Sequence, residues 1–149
     1  MKLTFESNLV YQQEAIQAAV NLFEGQMSEE SGCQYSLNEN GVLDLTAGIG
    51  NRLVLSKEQI LANLQKVQQQ NNIPCSITLE NMHFSVEMET GTGKTYVYLR
   101  TIYELNKKYG FKKFVIVVPS VPIREGVLKN LKITYEHFQT LYDNTPVRF

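Results

Sequence analysis

Six consecutive residues, Thr90-Gly91-Thr92-Gly93-Lys94-Thr95, combine small, hydroxylic and cationic side chains in an order suited to holding a polyphosphate. Gly91 and Gly93 have no Cβ, so the backbone there can take a positive φ and come close to phosphate oxygens. Successive N–H groups then point inward as an anion nest, reinforced by the positive end of a helix beginning near Thr95. Lys94 places an ammonium beside the β- and γ-phosphates of a triphosphate. Thr95 supplies a hydroxyl oxygen, a hard ligand suited to Mg²⁺. The match to the strict phosphate-loop pattern is partial. Met88 stands where a first glycine belongs, and only the Gly-Lys-Thr core fits. The bland alternative is a Gly/Thr loop with one exposed lysine. The flanking elements decide against it.

Residues 84–88 alternate like a strand, and the spacing from 95 to 109 predicts a helix with Leu99, Ile102 and Leu105 on one side. Lys107 and Lys108 lie near its negative end, and Gly110 is placed to stop it. The run 113–118 is short and rich in β-branched residues, the signature of a strand buried on both faces. Pro119 ends that strand, and 121–131 is helix-spaced again. Strand, loop, helix and strand in this order make a βαβ unit, which demands a parallel sheet. Upstream, residues 8–24 are helix-spaced through Val10, Ile16, Val20 and Leu22, with Asn8 as N-cap and Gly25 as stop. Residues 25–51 are rich in Ser, Asn and Gly and predict a loop or a weak hairpin. Ser56 and Gln59 fit a capping box, so a helix should run through Ile60, Leu61, Leu64 and Val67 to about Asn71.

Residues 88–95 resemble motif I of superfamily-two helicases, in the form found in the restriction subunit of type III restriction-modification enzymes. Residues 96–102 are similar to the same subgroup, and 117–127 resemble its motif Ia. Tyr11-Gln12-Gln13-Glu14-Ala15-Ile16 is similar to the glutamine-bearing segment that reads adenine in such motors. The resemblance implies an α/β fold: part of a three-layer P-loop NTPase (RecA-like) parallel sheet preceded by an N-terminal helix. It divides residues 1–149 into an adenine-motif helix (8–24), a variable insertion (25–82) and a P-loop βαβ core (83–149). It implies ATP and Mg²⁺ as cofactors. The implied nucleotide-binding residues are Gln12, Thr90, Gly91, Thr92, Gly93, Lys94 and Thr95. Lys94 and Thr95 carry the catalytic roles, and Thr95 is the metal ligand. Ser120 and Arg124 would hold a DNA phosphate.

The residues themselves are compatible with these roles. An amide such as that of Gln12 offers the donor and acceptor that an adenine edge requires. The choice of Gln12 over Gln13 rests on the family's register. Ser120 lies between an expected strand and an expected helix, where its hydroxyl could hold phosphate or serve only as an N-cap. Arg124 could add charge there or remain solvated. Phosphoryl transfer needs an acid to help position Mg²⁺ and a group to orient water. The chain has two aspartates, Asp44 and Asp143, and no D-E-x-H string. It is therefore expected to end before the acidic motif, and to bind nucleotide weakly without turnover on its own. The parent implied by the resemblance is an ATP-dependent DNA translocase with further helicase and nuclease domains and a modification methyltransferase partner. The competing readings are another superfamily-two motor and a non-hydrolysing, nucleotide-dependent interaction module.

Composition narrows the classes further. A chain of 149 residues with 43% hydrophobic and 19% charged side chains can bury one globular core. A net charge of -1 gives no overall field toward nucleic acid, so any DNA contact must be local. Cys33 and Cys75 have no paired spacing and suit a reducing, cytoplasmic setting. No signal peptide is evident, and the apolar run 114–118 is far below the roughly 20 residues of a membrane helix. His83 and His137 lack metal-ligand partners at useful spacing. The pairs Lys107-Lys108 and Lys112-Lys113 are expected to be solvated.

Overall fold

Four stretches carry apolar residues at helical spacing. In the computed structural model, which describes residues 5–27 and 51–148, each forms a helix. They are α1 (Val10–Asn21), α2 (Lys57–Gln70), α3 (Lys94–Tyr109) and α4 (Val121–Leu141). The loop or hairpin expected over 25–51, with Cys33 and Asp44, lies largely outside the described residues.

Local chemistry sets most of the ends. Ser56 Oγ accepts from Gln59 N and Gln59 Oε1 accepts from Ser56 N, the reciprocal pair that starts α2. Gly110 stops α3 with φ 72°, and its N–H donates to Asn106 O at 2.8 Å. α1 starts one residue later than expected. Leu9, not Asn8, is its N-cap, and Gln13 takes Asn8 Oδ1 and Ser7 O instead. α4 runs ten residues beyond the expected Leu131, to Leu141.

α3 lies at the centre, with α1 on one side and α4 on the other. Toward α1 it buries Val97 and Tyr109 with Ile16, Val20 and Phe111. Toward α4 it buries Tyr96, Leu99 and Tyr103 with Phe138 and Tyr142. Each fully buried apolar side chain in these clusters contributes roughly 1.5–3 kcal/mol. Phe138, 1% exposed, anchors the second cluster. Its ring centroid lies 4.8 Å from that of Tyr103 and 5.2 Å from that of Tyr96. This packing explains the extra length of α4. Its last turns are stabilised by aromatic contacts with α3, which local propensity does not encode. α2 docks on the end of α1 through buried Ile60 and through Asn63, whose Nδ2 donates to Leu22 O at 3.1 Å and Glu24 O at 2.9 Å.

The parallel sheet expected from the sequence is not formed, because the described residues contain no strand. Residues 84–88 and 113–118, the two expected strands of a RecA-like βαβ unit, run without ladder partners among the described residues. A strand buried on both faces would hide both sets of side chains, yet Val115 is 88% and Val117 87% exposed. At residues 112 and 113 the backbone pairs with a side chain. Asn51 Oδ1 accepts from Lys112 N at 2.8 Å and Lys113 N at 3.0 Å, and its Nδ2 donates to Lys113 O at 2.6 Å. Alternation and β-branching measure how well side chains suit a pleated surface, and say nothing of whether a neighbour is present. Helices are the regular elements of the described residues.

Candidate functional site

The 90–95 loop leads directly into α3, and its glycines take the conformation that their side-chain-free backbone permits. Gly91 has φ 81° and Gly93 φ 83°. A Cβ at Gly91 would meet nothing within 4 Å, so that glycine faces open space. Thr92 braces the turn from inside, its Oγ1 donating to Glu89 O at 2.7 Å. Gly93 is the N-cap of α3, and no side chain caps the N–H groups of the first turn. Val97 N donates to Gly93 O at 3.0 Å, closing the first helical bond. Lys94 begins the helix with an exposed side chain, and Thr95 follows half-buried. The result is a left-handed turn of open backbone at a positive helix end, with an ammonium beside it.

Gln12 locks this turn to α1. It is 6% exposed, and its Nε2 donates to Thr92 O at 2.9 Å. The approach is close enough that a Cβ at Gly93 would lie 2.7 Å from Gln12 Nε2. Gly93 is therefore required twice, by its φ and by its neighbour. One amide hydrogen of Gln12 is used on the loop, leaving its second hydrogen and its oxygen. Gln13 is tied to Ser7 and Asn8, so of the two glutamines it is Gln12 that meets the loop. The sequence held a signal for this contact. Gln12 precedes Ile16 and Val20 at intervals of four and so lies in the buried stripe of α1, where a polar group needs a partner.

A cavity of about 440 Å³ is lined by Thr95 and Tyr98 of α3, by residues 114–118, and by Ile123 and Val127 of α4. Burial pushes the Tyr98 phenol above its ordinary value. The Tyr98 oxygen is buried and reaches no hydrogen-bond partner among the described residues. Ser120 is the N-cap residue of α4, but its hydroxyl makes no cap hydrogen bond. Its backbone carbonyl accepts from Arg124 N at 3.0 Å. Arg124 is exposed and stands 4.0 Å from the Glu125 carboxylate, a loose surface pair. The structure thus brings Gln12 and the 90–95 loop together. It places Ser120 and Arg124 apart, on the first turn of α4. The described residues contain no group of three His, Cys, Asp or Glu that could hold a metal ion, and no helix long and apolar enough to cross a membrane. His83 is exposed, and the His137 ring nitrogen pairs with Tyr96 Oη at 2.9 Å.

Residues 7–145 match the protein family described as type III restriction enzyme, res subunit. The type III restriction-modification enzyme EcoPI Res subunit of Escherichia phage P1 is 35% identical over 145 residues, 94% of this chain and 14% of that protein. The EcoP15I Res subunit of Escherichia coli is 37% identical over 144 residues, 93% of this chain and 14% of that protein. The StyLTI Res subunit of Salmonella typhimurium is 50% identical over 68 residues, 44% of this chain and 7% of that protein. The chain spans about one seventh of the length of the first two relatives, at 14% in each case.

Proposed function

The chain belongs to the family of type III restriction enzyme res subunits, and on that premise we propose that it is the ATP-binding part of an ATP-dependent DNA translocase. The observation that carries this reading is the 90–95 turn. Two glycines at positive φ open the backbone, an uncapped helix start follows, and Lys94 stands beside it. These features suit a triphosphate: main-chain amides for its oxygens and an ammonium for its charge. Mg²⁺, when bound, would neutralise phosphate charge, and the Thr95 hydroxyl is the oxygen this chain offers it. Gln12 retains one donor and one acceptor, the complement of the adenine N7 and N6 edge.

DNA would be engaged at the start of α4. There the Ser120 hydroxyl is not used as a cap and Arg124 is solvent-facing, so both can meet a phosphate at a positive helix end. The relatives are named as parts of restriction-modification enzymes, which makes a modification methyltransferase the expected partner. Further helicase and nuclease domains would complete the motor.

Thermal unfolding with and without nucleotide tests the binding claim. A ligand at about 100 times its Kd stabilises by about 2.7 kcal/mol, which for a chain of this size raises Tm by roughly 5–10 °C. Millimolar Mg-ATP should produce such a rise in the unaltered chain and none in Lys94→Ala. Equal shifts in the two proteins, or no shift in either, would remove the loop from the account.

A further inference from the structure

We propose that Arg100 is a positioning residue that sets base discrimination by holding the segment before α1 against α3. Arg100 lies within α3 and is only 9% exposed, yet no carboxylate touches it among the described residues. Its guanidinium forks instead. Nε donates to Tyr142 Oη at 3.2 Å, and Nη1 donates to the backbone carbonyl of Ser7. Tyr142 Oη passes the connection on, donating to Glu104 Oε1 at 2.6 Å. A buried cation with indirect charge compensation is a costly way to stabilise a helix interface, and an apolar residue would serve that purpose better. What the guanidinium supplies is two directed bonds in a fixed plane, one to Tyr142 at the C-cap of α4 and one to the segment leading into α1.

That segment is short and tethered at both ends. Ser7 O also accepts from Gln13 Nε2 at 3.3 Å, which folds the approach to α1 onto its first turn. Leu9 O then accepts from Gln12 N at 3.1 Å and Gln13 N at 3.0 Å. Five residues beyond Ser7, Gln12 grips Thr92 O. Thr92, in the turn just before α3, and Arg100, within it, therefore hold residues 7–12 at two separate points. Phe5 continues the same contact by stacking on Tyr96. If the Arg100 tether moves, the start of α1 moves with it, and the remaining donor and acceptor of Gln12 lose their aim. The polyphosphate turn, held by its own Thr92–Glu89 bond, stays as it is.

This inference rests on the reading of Gln12 as the adenine contact, and the experiment separates the two. Affinities for ATP, GTP and inorganic tripolyphosphate, each with Mg²⁺, are measured for the unaltered chain and for Gln12→Ala, Arg100→Lys and Tyr142→Phe. Lysine keeps the charge but cannot fork, and phenylalanine keeps the ring in the aromatic cluster while removing the acceptor. The expected result is a preference for ATP over GTP that falls by roughly tenfold, the worth of one directed hydrogen bond, in Gln12→Ala and Arg100→Lys alike. Tyr142→Phe should lower the preference in the same direction, and tripolyphosphate affinity should stay within about twofold in Arg100→Lys and Tyr142→Phe. An Arg100→Lys protein that keeps the preference, or loses all three ligands together, overturns the role of Arg100. If circular dichroism shows that variant unfolded, Tyr142→Phe decides, and an unchanged preference there has the same consequence. If Gln12→Ala itself leaves the preference intact, the adenine reading fails and this inference fails with it.

Discussion

Replacing Gly93 by alanine tests the geometry of the site without touching any charged group. Two costs arise. The residue holds φ 83°, where a side chain costs roughly 1–2 kcal/mol. The new Cβ would also lie 2.7 Å from Gln12 Nε2, so the buried amide must withdraw from Thr92 O. Losing that hydrogen bond adds about 1 kcal/mol, for a total of roughly 2–3 kcal/mol. Gly91 provides the control. It has φ 81° but open space around its Cβ position, so Gly91→Ala should cost only the backbone share, roughly 1–2 kcal/mol. The assay is urea unfolding followed by far-UV circular dichroism, with each substitution made alone and combined with Gln12→Ala. In the Gln12→Ala background the obstruction is gone, and Gly93→Ala should cost no more than Gly91→Ala. The cycle should return a coupling of about 1 kcal/mol between positions 12 and 93. A coupling below about 0.3 kcal/mol, within the additivity of independent sites, would refute the proposed contact.

Three further outcomes follow from the packing. Phe138→Ala removes the ring that Tyr96 and Tyr103 pack against, and should cost about 3–5 kcal/mol in urea unfolding. A loss below about 1 kcal/mol would mean the α3–α4 cluster is not a core. Ser56→Ala breaks the reciprocal cap of α2 and should cost about 1 kcal/mol, read as a lower urea midpoint at unchanged slope. His137 is held below the ordinary imidazole value of 6.5, first by burial and then by the charge of Arg100, so the folded chain favours the neutral ring. The unfolded chain then binds the proton more readily, and stability is lost as pH falls below about 6.5 toward the folded value. The urea midpoint should drop between about pH 7.5 and about pH 5.5, and His137→Gln should flatten part of that slope. An identical slope in the variant would assign the titration elsewhere.

The parts of the fold that were legible in the sequence are those that local chemistry determines. Ser56 and Gln59 announce α2 because a capping box needs only residues three apart. Gly110 announces the end of α3 because a left-handed stop favours glycine. The end of α4 was not legible, because its last turns depend on Phe138 and Tyr142 meeting rings from α3, a contact between residues distant in sequence. The strands failed for a related reason. Residues 113–118 have the side chains of a buried strand, but a strand exists only with a neighbour, and here Asn51 occupies the first amides. At the candidate site, the positive φ of Gly91 and Gly93 was legible from residue type alone. The grip of Gln12 on Thr92 links residues 80 apart. Only the position of Gln12 in the apolar stripe of α1 hinted at it. Arg100 gave no comparable hint, since an arginine between Leu99 and Thr101 looks like any solvated helix residue until Ser7 and Tyr142 are seen around it.

The central claim is that main-chain amides of the 90–95 turn wrap a polyphosphate. Amide chemical shifts recorded by nuclear magnetic resonance during a titration with Mg-ATP address it at the atoms concerned. Saturable shifts of the Gly91, Gly93, Lys94 and Thr95 N–H signals are expected, with the largest at the two glycines and all of them lost in Lys94→Ala. Stationary signals from these four residues, with shifts confined to other parts of the chain, would contradict it.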